Sequence, residues 1–106
     1  MRSSCCLLLT ALSCLPATAG PLAVERQQEL LHLLHQDCGS CHGMRLTGGL
    51  GPALTPAALA GKPRALLTAT IREGRTGTPM PPWKGILDDA DIAWLVDTLT
   101  DAGAAP

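Results

Sequence analysis

Residues 38–42 read CGSCH, in which two cysteines are separated by two residues and followed at once by His42. Four kinds of site share part of this pattern: a disulfide, a redox-active dithiol, part of a zinc site and the attachment site of a c-type haem. The choice among them decides the fold, because a chain of 106 residues has room for one small domain with one core.

Three of the four interpretations fit the sequence poorly. A disulfide makes no use of His42, and it closes a loop too short to constrain the unfolded chain strongly. A thioredoxin-like dithiol lies where a strand meets a helix in an α/β fold, and no strand pattern precedes Cys38. A structural zinc site needs four ligands, and only His32 and His35 could complete it, in a cramped arrangement.

The haem interpretation uses every residue of the motif. In c-type attachment, both cysteines form thioethers with the haem vinyl groups and the histidine binds the iron. We therefore expect one covalent haem c on Cys38 and Cys41, with His42 as the proximal ligand. The haem would also fill a core that is short of aromatic side chains, because the chain has no Phe, no Tyr and only two Trp.

Met80 is the candidate for the second axial ligand. It lies between Pro79 and the pair Pro81 and Pro82, in the stretch GRTGTPMPPWKG of residues 74–85. Prolines restrict the backbone around them, so this loop can fix a thioether with little loss of conformational freedom. His/Met ligation raises the reduction potential relative to more basic axial pairs, and six ligands leave no open position for a substrate.

Other methionines and histidines are less suited to this position. Met44 follows His42 by two residues, a reach of at most about 7 Å, and cannot pass round the porphyrin to its opposite face. His32 and His35 lie on the helix that leads into the motif, where a solvated polar face explains both of them.

Outside the motif, the sequence predicts helices separated by two loops rich in glycine and proline, and no strands. Thr55 and Asp88 are expected N-cap residues, Asp91 is a favourable acid in a first turn, and Gly74 ends a helix. The expected helices are 23–36, which runs into the motif, Pro56 to Leu59 or Ala60, 62–73, and a terminal helix after Asp88; the loops are 43–54 and 74–85. The apolar faces comprise Val24, Gln27, Leu30, Leu31 and Leu34 in the first helix, and Ile92, Leu95, Val96 and Leu99 in the last.

Residues 1–19 have the pattern of a cleaved secretory signal peptide. A positive end is followed by an apolar run over 5–15 and by small residues at the cleavage site, 17–19. The alternatives are an apolar helix of the fold and a lipoprotein signal in which Cys14 is lipidated. We expect export to the periplasm and a mature domain of residues 20–106. No segment has the run of about 20 apolar residues that a membrane span requires.

The charge of the chain argues against two classes of partner. The formal charge at pH 7 is −1, and it becomes −2 without residues 1–19, which hold one arginine and no acidic residue. So weak a charge does not favour nucleic acid or an anionic membrane surface as a partner.

Together these features resemble the class I monohaem cytochromes c. The resemblance covers the helix before CGSCH, the loop after it, two short helices, the methionine loop and the terminal helix. It implies a small all-α fold with four helices around one covalently bound haem c, and terminal helices that cross at nearly a right angle. It also implies that the Pro52 carbonyl accepts a hydrogen bond from His42, and that Leu54 and Trp83 pack near the haem.

The stretches CHGMRLTGGLGPALTPAAL and GRTGTPMPPWKG resemble, more narrowly, the cytochrome c55X family. Its members are small periplasmic cytochromes whose genes accompany cytochrome cd1 nitrite reductase in denitrifying bacteria. The resemblance implies electron transfer connected with nitrite reduction, with that reductase or a haem d1 maturation dehydrogenase as a transient redox partner. Docking would use the exposed haem edge near the loop from Met44 to Gly51.

Two alternatives stand beside the electron carrier. The protein could accept electrons in haem d1 biosynthesis, or it could bind or sense a ligand at an open or labile sixth position of the iron. We do not expect an enzyme, because the sequence contains no Ser/His/Asp or paired-carboxylate arrangement; the acidic residues near Asp88 suit a helix N-terminus.

Overall fold

The computed structural model describes residues 20–101, and the expected signal peptide, residues 1–19, lies outside the described residues. Within 20–101 the chain consists of helices and loops, without a strand. The helical elements are α1 (Val24–Leu33), a π-helical segment (Leu34–Cys38), α2 (Gly39–His42), α3 (Pro56–Leu59), α4 (Arg64–Glu73) and α5 (Asp89–Thr100). Because α1, the π segment and α2 follow one another without a break, they count as one helix, and the expected all-α fold with four helices is confirmed.

The first helix runs into the motif, as the sequence predicts, and continues through it to His42. Its hydrogen-bond pattern changes between Leu34 and Cys38. At the end of the π segment, the Gly39 N–H donates to the Leu34 carbonyl, five residues back. The turn therefore contains one residue more than an α-helical turn. This extra residue changes the direction in which the CGSCH side chains leave the helix relative to those of α1.

The inner face of α1 follows the sequence prediction only in part. Leu30 and Leu34 are buried, with 0 % and 2 % of their surface exposed, whereas Val24 is 63 % exposed. The expected inward position of Val24 is therefore wrong. Leu30 is the only buried residue of α1, so the first turn extends past the core and periodicity alone could not place it.

A part-buried ion pair joins α1 to α5. Asp91 is 3 % exposed, and its carboxylate accepts hydrogen bonds from Arg26 Nε at 3.0 Å and Nη2 at 2.6 Å. Asp91 and Asp88 also cap the helix reciprocally, because the backbone N–H of each donates to the side chain of the other. These contacts, with Arg26 as the largest cause, hold the pKa of Asp91 below its usual range. The expected N-cap at Asp88 is confirmed.

The core lies on the inner sides of the first helix and α5. Its fully buried side chains are Leu30, Ile92, Leu95 and Val96. Among the residues described, no helix has the length and apolarity needed to cross a membrane.

Helix α4 packs against α5 at its edges and faces an open space on its inner side. Arg64 forms an ion pair with Asp97, and Arg72 forms one with Asp89. No residue of α4 is buried, although apolar side chains point inward from it. The helix begins at Arg64, two residues later than expected, because the extended backbone of Pro63 (ψ 138°) delays its start.

Candidate haem site

A cavity of about 870 Å³ lies between the CGSCH motif, α4 and the methionine loop. Its walls are mostly aliphatic side chains from the core and from α4, together with Trp83. The sequence-predicted site residues all line it: Cys38, Cys41, His42, Pro52, Leu54, Met80 and Trp83. Residues more than 40 positions apart in the sequence are thus brought together around one cavity.

His42 is oriented by a hydrogen bond to the loop that follows it. Its Nδ1 lies 2.7 Å from the carbonyl oxygen of Pro52. A carbonyl oxygen can only accept, so Nδ1 carries a proton and donates it, which in the neutral imidazole leaves the lone pair on Nε2. This is the tautomer that a histidine needs in order to bind a metal through Nε2.

The same loop passes so close to the imidazole that a side chain would not fit at residue 51. A Cβ on Gly51 would lie 2.8 Å from both Cε1 and Nδ1 of His42. The loop is held in this place by two short backbone hydrogen bonds to the motif, from Gly51 N–H to the Cys41 carbonyl at 2.7 Å and from Gly48 N–H to the His42 carbonyl at 2.8 Å. The imidazole therefore has one wall of bare backbone.

Cys38 and Cys41 are half-buried and lie on the wall of the cavity that carries His42. They are not joined by a disulfide. Burial, and to a smaller extent the charge of Asp37, raises the pKa of the Cys38 thiol to about 11. No cluster of three or more His, Cys, Asp or Glu side chains that could hold a metal ion occurs within 20–101.

Met80 lies in the methionine loop, which lines the same cavity as the motif, and is half-buried. Its backbone N–H donates to Thr78 Oγ1 at 3.3 Å, and its carbonyl accepts from the Arg75 N–H at 3.2 Å. Both bonds act on the backbone, so the side chain is placed through the position of the loop. Met44, by contrast, is 58 % exposed.

The donors around the cavity fit a c-type haem. Two thiols stand one helical turn apart, beside an imidazole whose Nε2 is free, and a thioether lies in the facing loop. The remaining wall is largely apolar, which suits a porphyrin face, and the cavity has the size of a cofactor site.

Sequence reasoning gave no role to two cations of the cavity wall. Lys62 and Arg75 both line it, and neither is among the ion pairs of the described residues, in which Arg26, Arg64, Arg72 and Lys84 take part. Nothing in the sequence separates the paired cations from the unpaired ones, because each pair except Arg26–Glu29 joins residues distant along the chain.

The chain matches a known protein family and a known relative. Residues 25–97 match the family described as cytochrome C oxidase, cbb3-type, subunit III. The chain is 65 % identical over 82 residues to cytochrome c55X of Pseudomonas aeruginosa, an alignment that covers 77 % of this chain and 69 % of that protein.

Two solved structures are also similar. The c-type cytochrome NirC matches with a TM-score of 0.78 and 62 % identity, over 80 % of this chain and 100 % of NirC. The dihydro-heme d1 dehydrogenase NirN, solved in complex with DHE, matches with a TM-score of 0.63 and 39 % identity, over 68 % of this chain and 16 % of NirN. The likeness to NirN therefore concerns one small part of that protein.

Proposed function

Because the chain belongs to the cytochrome c55X family of monohaem c-type cytochromes, we propose that it is a periplasmic electron carrier that serves nitrite reduction, with His42 and Met80 as its iron ligands. One observation carries the proposal: both cysteines, His42 and Met80 line a single cavity. When bound through Cys38 and Cys41, the haem supplies a one-electron ferric/ferrous couple. The expected signal peptide at 1–19 supports the periplasmic assignment.

The proximal side prepares His42 as a ligand. The hydrogen bond from Nδ1 to the Pro52 carbonyl holds the ring in one orientation and makes Nε2 more basic. The backbone of Gly51 lies so close behind the ring that a Cβ would overlap it, which restricts how far the imidazole can tilt. Both effects would hold the His42 ligand in one orientation in either oxidation state of a bound haem, as a carrier requires.

The apolar part of the cavity wall would keep water from the iron of a bound haem. Leu54 and Trp83 are half-buried and pack against the core, and Leu59 on α3 is 6 % exposed. An apolar surround disfavours the extra positive charge of ferric iron and so raises the reduction potential. With His42 and Met80 on the iron, no position remains for a substrate, and for this reason we do not assign an enzymatic activity.

The test is the optical spectrum of the purified protein, oxidised and reduced. Ligation by methionine sulfur gives a weak charge-transfer band at the red end of the oxidised spectrum, and Met80→Ala should abolish it. Met44→Ala is the matched control, because Met44 is exposed and should leave the band unchanged. Rapid binding of carbon monoxide to the reduced wild-type protein would instead indicate an open sixth position, and hence a ligand-binding or sensing role.

A second candidate function is favoured by the likeness to part of NirN. In this role the protein accepts electrons, one per haem, that a dehydrogenase removes while it forms haem d1. The oxidised protein should then be reduced selectively by such a dehydrogenase with its substrate, and a deletion strain should lack mature haem d1. Normal haem d1 in the deletion strain would eliminate this role and leave the carrier proposal standing.

A further inference from the structure

We propose that Gly74 is the positioning residue for Met80: its lack of a side chain lets the methionine loop lie directly against the end of α4. The inference rests on the proposed ligation by Met80. A backbone contact at Gly74, six residues earlier in the chain, would determine where the Met80 sulfur lies. Gly74 would then do more than end a helix.

The contact is between backbone and backbone. A Cβ built on Gly74 would lie 2.6 Å from the carbonyl carbon of Pro81, 2.7 Å from the carbonyl oxygen of Met80 and 2.7 Å from the nitrogen of Pro82. Because all three are main-chain atoms, no side-chain rotation could relieve the overlap. A methyl group at 74 must push the loop, and Met80 with it, away from α4.

Hydrogen bonds hold the loop in this position from both sides of Met80. Two of them satisfy carbonyls of the last turn of α4, which have no partner within the helix. The three bonds run from Arg75 N–H to the Met80 carbonyl at 3.2 Å, from Trp83 N–H to the Ile71 carbonyl at 3.1 Å, and from Lys84 N–H to the Arg72 carbonyl at 3.3 Å. The loop is thus the C-terminal cap of α4 as well as the carrier of Met80, and it cannot shift without loosening that cap.

A second glycine of the same loop provides the control. Gly74 has φ +66° and ψ −165°, a conformation that essentially only glycine adopts, and Gly77 has φ +79°. Nothing lies within 4 Å of a Cβ built on Gly77. Gly77→Ala therefore controls for an alanine at positive φ in this loop, whereas Gly74→Ala adds the contact and the glycine-only conformation at the point where the loop meets α4.

The experiment compares wild type, Gly74→Ala and Gly77→Ala as haem-bound proteins. We expect Gly74→Ala to lose the methionine charge-transfer band and to bind carbon monoxide faster when reduced, while Gly77→Ala keeps the wild-type band and rate. Retention of the band in Gly74→Ala, or its loss in both variants, would overturn the proposal. A wild-type protein without the band would refute the ligation by Met80 instead, so the two failures are distinct.

A double variant covers the case in which Gly74→Ala does not fold. In Gly74→Ala/Pro82→Ala the loop is less restricted and can move away from the new methyl group. We expect this protein to bind haem and to lack the band, with Pro82→Ala alone keeping it. A folded double variant that keeps the band contradicts a positioning role for Gly74.

Discussion

The two sides of the cavity hold the proposed iron ligands by different means. On the proximal side, a side-chain hydrogen bond of 2.7 Å fixes His42, and backbone bonds of 2.7–2.8 Å hold the loop behind it. On the distal side, the bonds around Met80 act on its backbone and measure 3.2–3.3 Å. The chemistry of the ligands explains the difference: imidazole has a second nitrogen through which it can be oriented, whereas a thioether sulfur is only a weak acceptor. A histidine can be held by its side chain, and a methionine must be held by its loop.

The largest of the following effects is expected on the proximal side, behind His42. Gly51→Ala places a methyl group 2.8 Å from Cε1 and Nδ1 of His42, and the bond to Pro52 prevents the ring from moving aside. Overpacking of this kind should lower the free energy of unfolding by about 3 kcal/mol. Denaturant unfolding of the haem-bound protein measures the loss.

Gly85→Ala is the control for this substitution, since a Cβ on Gly85 meets nothing within 4 Å. It should change the stability by less than about 0.5 kcal/mol. An equally small loss in Gly51→Ala would show that the loop behind His42 can yield to a side chain, and the contrast between the two sides would fail.

The second effect concerns the ion pair between Arg26 and Asp91, which joins the first helix to α5. Asp91→Asn removes the charge that pairs with Arg26 near the N-terminus of α5, and because the Asp91 side chain is buried it should lower the free energy of unfolding by about 2 kcal/mol at pH 7. Because the folded state holds the pKa of Asp91 low, the wild-type advantage is complete above the unfolded value of about 3.9 and disappears as the pH falls through the folded value.

Unfolding of both proteins between pH 7 and pH 2 tests this sign. Asp97→Asn, at the exposed pair with Arg64, is the control and should cost less than about 0.5 kcal/mol. A difference between wild type and Asp91→Asn that grows on acidification would contradict the assignment of the pair as a stabilising contact.

A smaller effect is expected on the distal side from Thr78→Ala. The Thr78 hydroxyl donates to the Arg75 carbonyl at 2.7 Å and accepts from the Met80 N–H at 3.3 Å, in an exposed part of the loop. Its loss should cost about 1 kcal/mol and weaken the charge-transfer band. Thr76→Ala, which changes an exposed threonine of the same loop, should do neither; a similar effect in both variants would argue against a specific role for the Thr78 hydroxyl.

The smallest effect is expected from Lys84→Gln. Lys84 and Glu73 form an ion pair of 2.8 Å with both side chains more than half exposed, and such pairs contribute less than about 0.5 kcal/mol and are screened by salt. Thermal unfolding at low and high salt should separate the variant from wild type only at low salt. A large loss would show that this pair, rather than the backbone cap of α4, holds the distal loop.

What the sequence could predict is local in character. The caps at Thr55 and Asp88 depend on hydrogen bonds between residues three positions apart. The spacing of the cysteines and the histidine in CGSCH is enough to predict haem attachment. The hydrogen bond between His42 and the Pro52 carbonyl was expected only by resemblance to relatives. Such features are readable because the residues that form them are neighbours or belong to a shared pattern.

The rest depends on contacts that a linear pattern does not contain. The Arg26–Asp91 pair joins residues 65 positions apart. The contact of the methionine loop with Gly74 depends on the path that brings residues 80–82 back to the end of α4. The π segment is equally hidden, since its residue types would suit a regular α-helix. In the first turn of α1, Val24 follows the apolar periodicity of the helix but is exposed. Periodicity predicts which face of a helix points inward and does not predict how far along the helix the core extends.

The shortage of aromatic residues gives the molecule a simple optical signature. With no Tyr or Phe in the chain, all intrinsic fluorescence comes from Trp83 in the methionine loop and Trp94 in α5. One emitter therefore belongs to the distal side and the other to the terminal helix that anchors α1. A haem between the elements quenches nearby indole emission, so a Trp94→Leu protein emits only from the distal loop and a Trp83→Leu protein only from α5. Fluorescence of the two variants can therefore report separately when the methionine loop and when α5 moves away from the haem during unfolding.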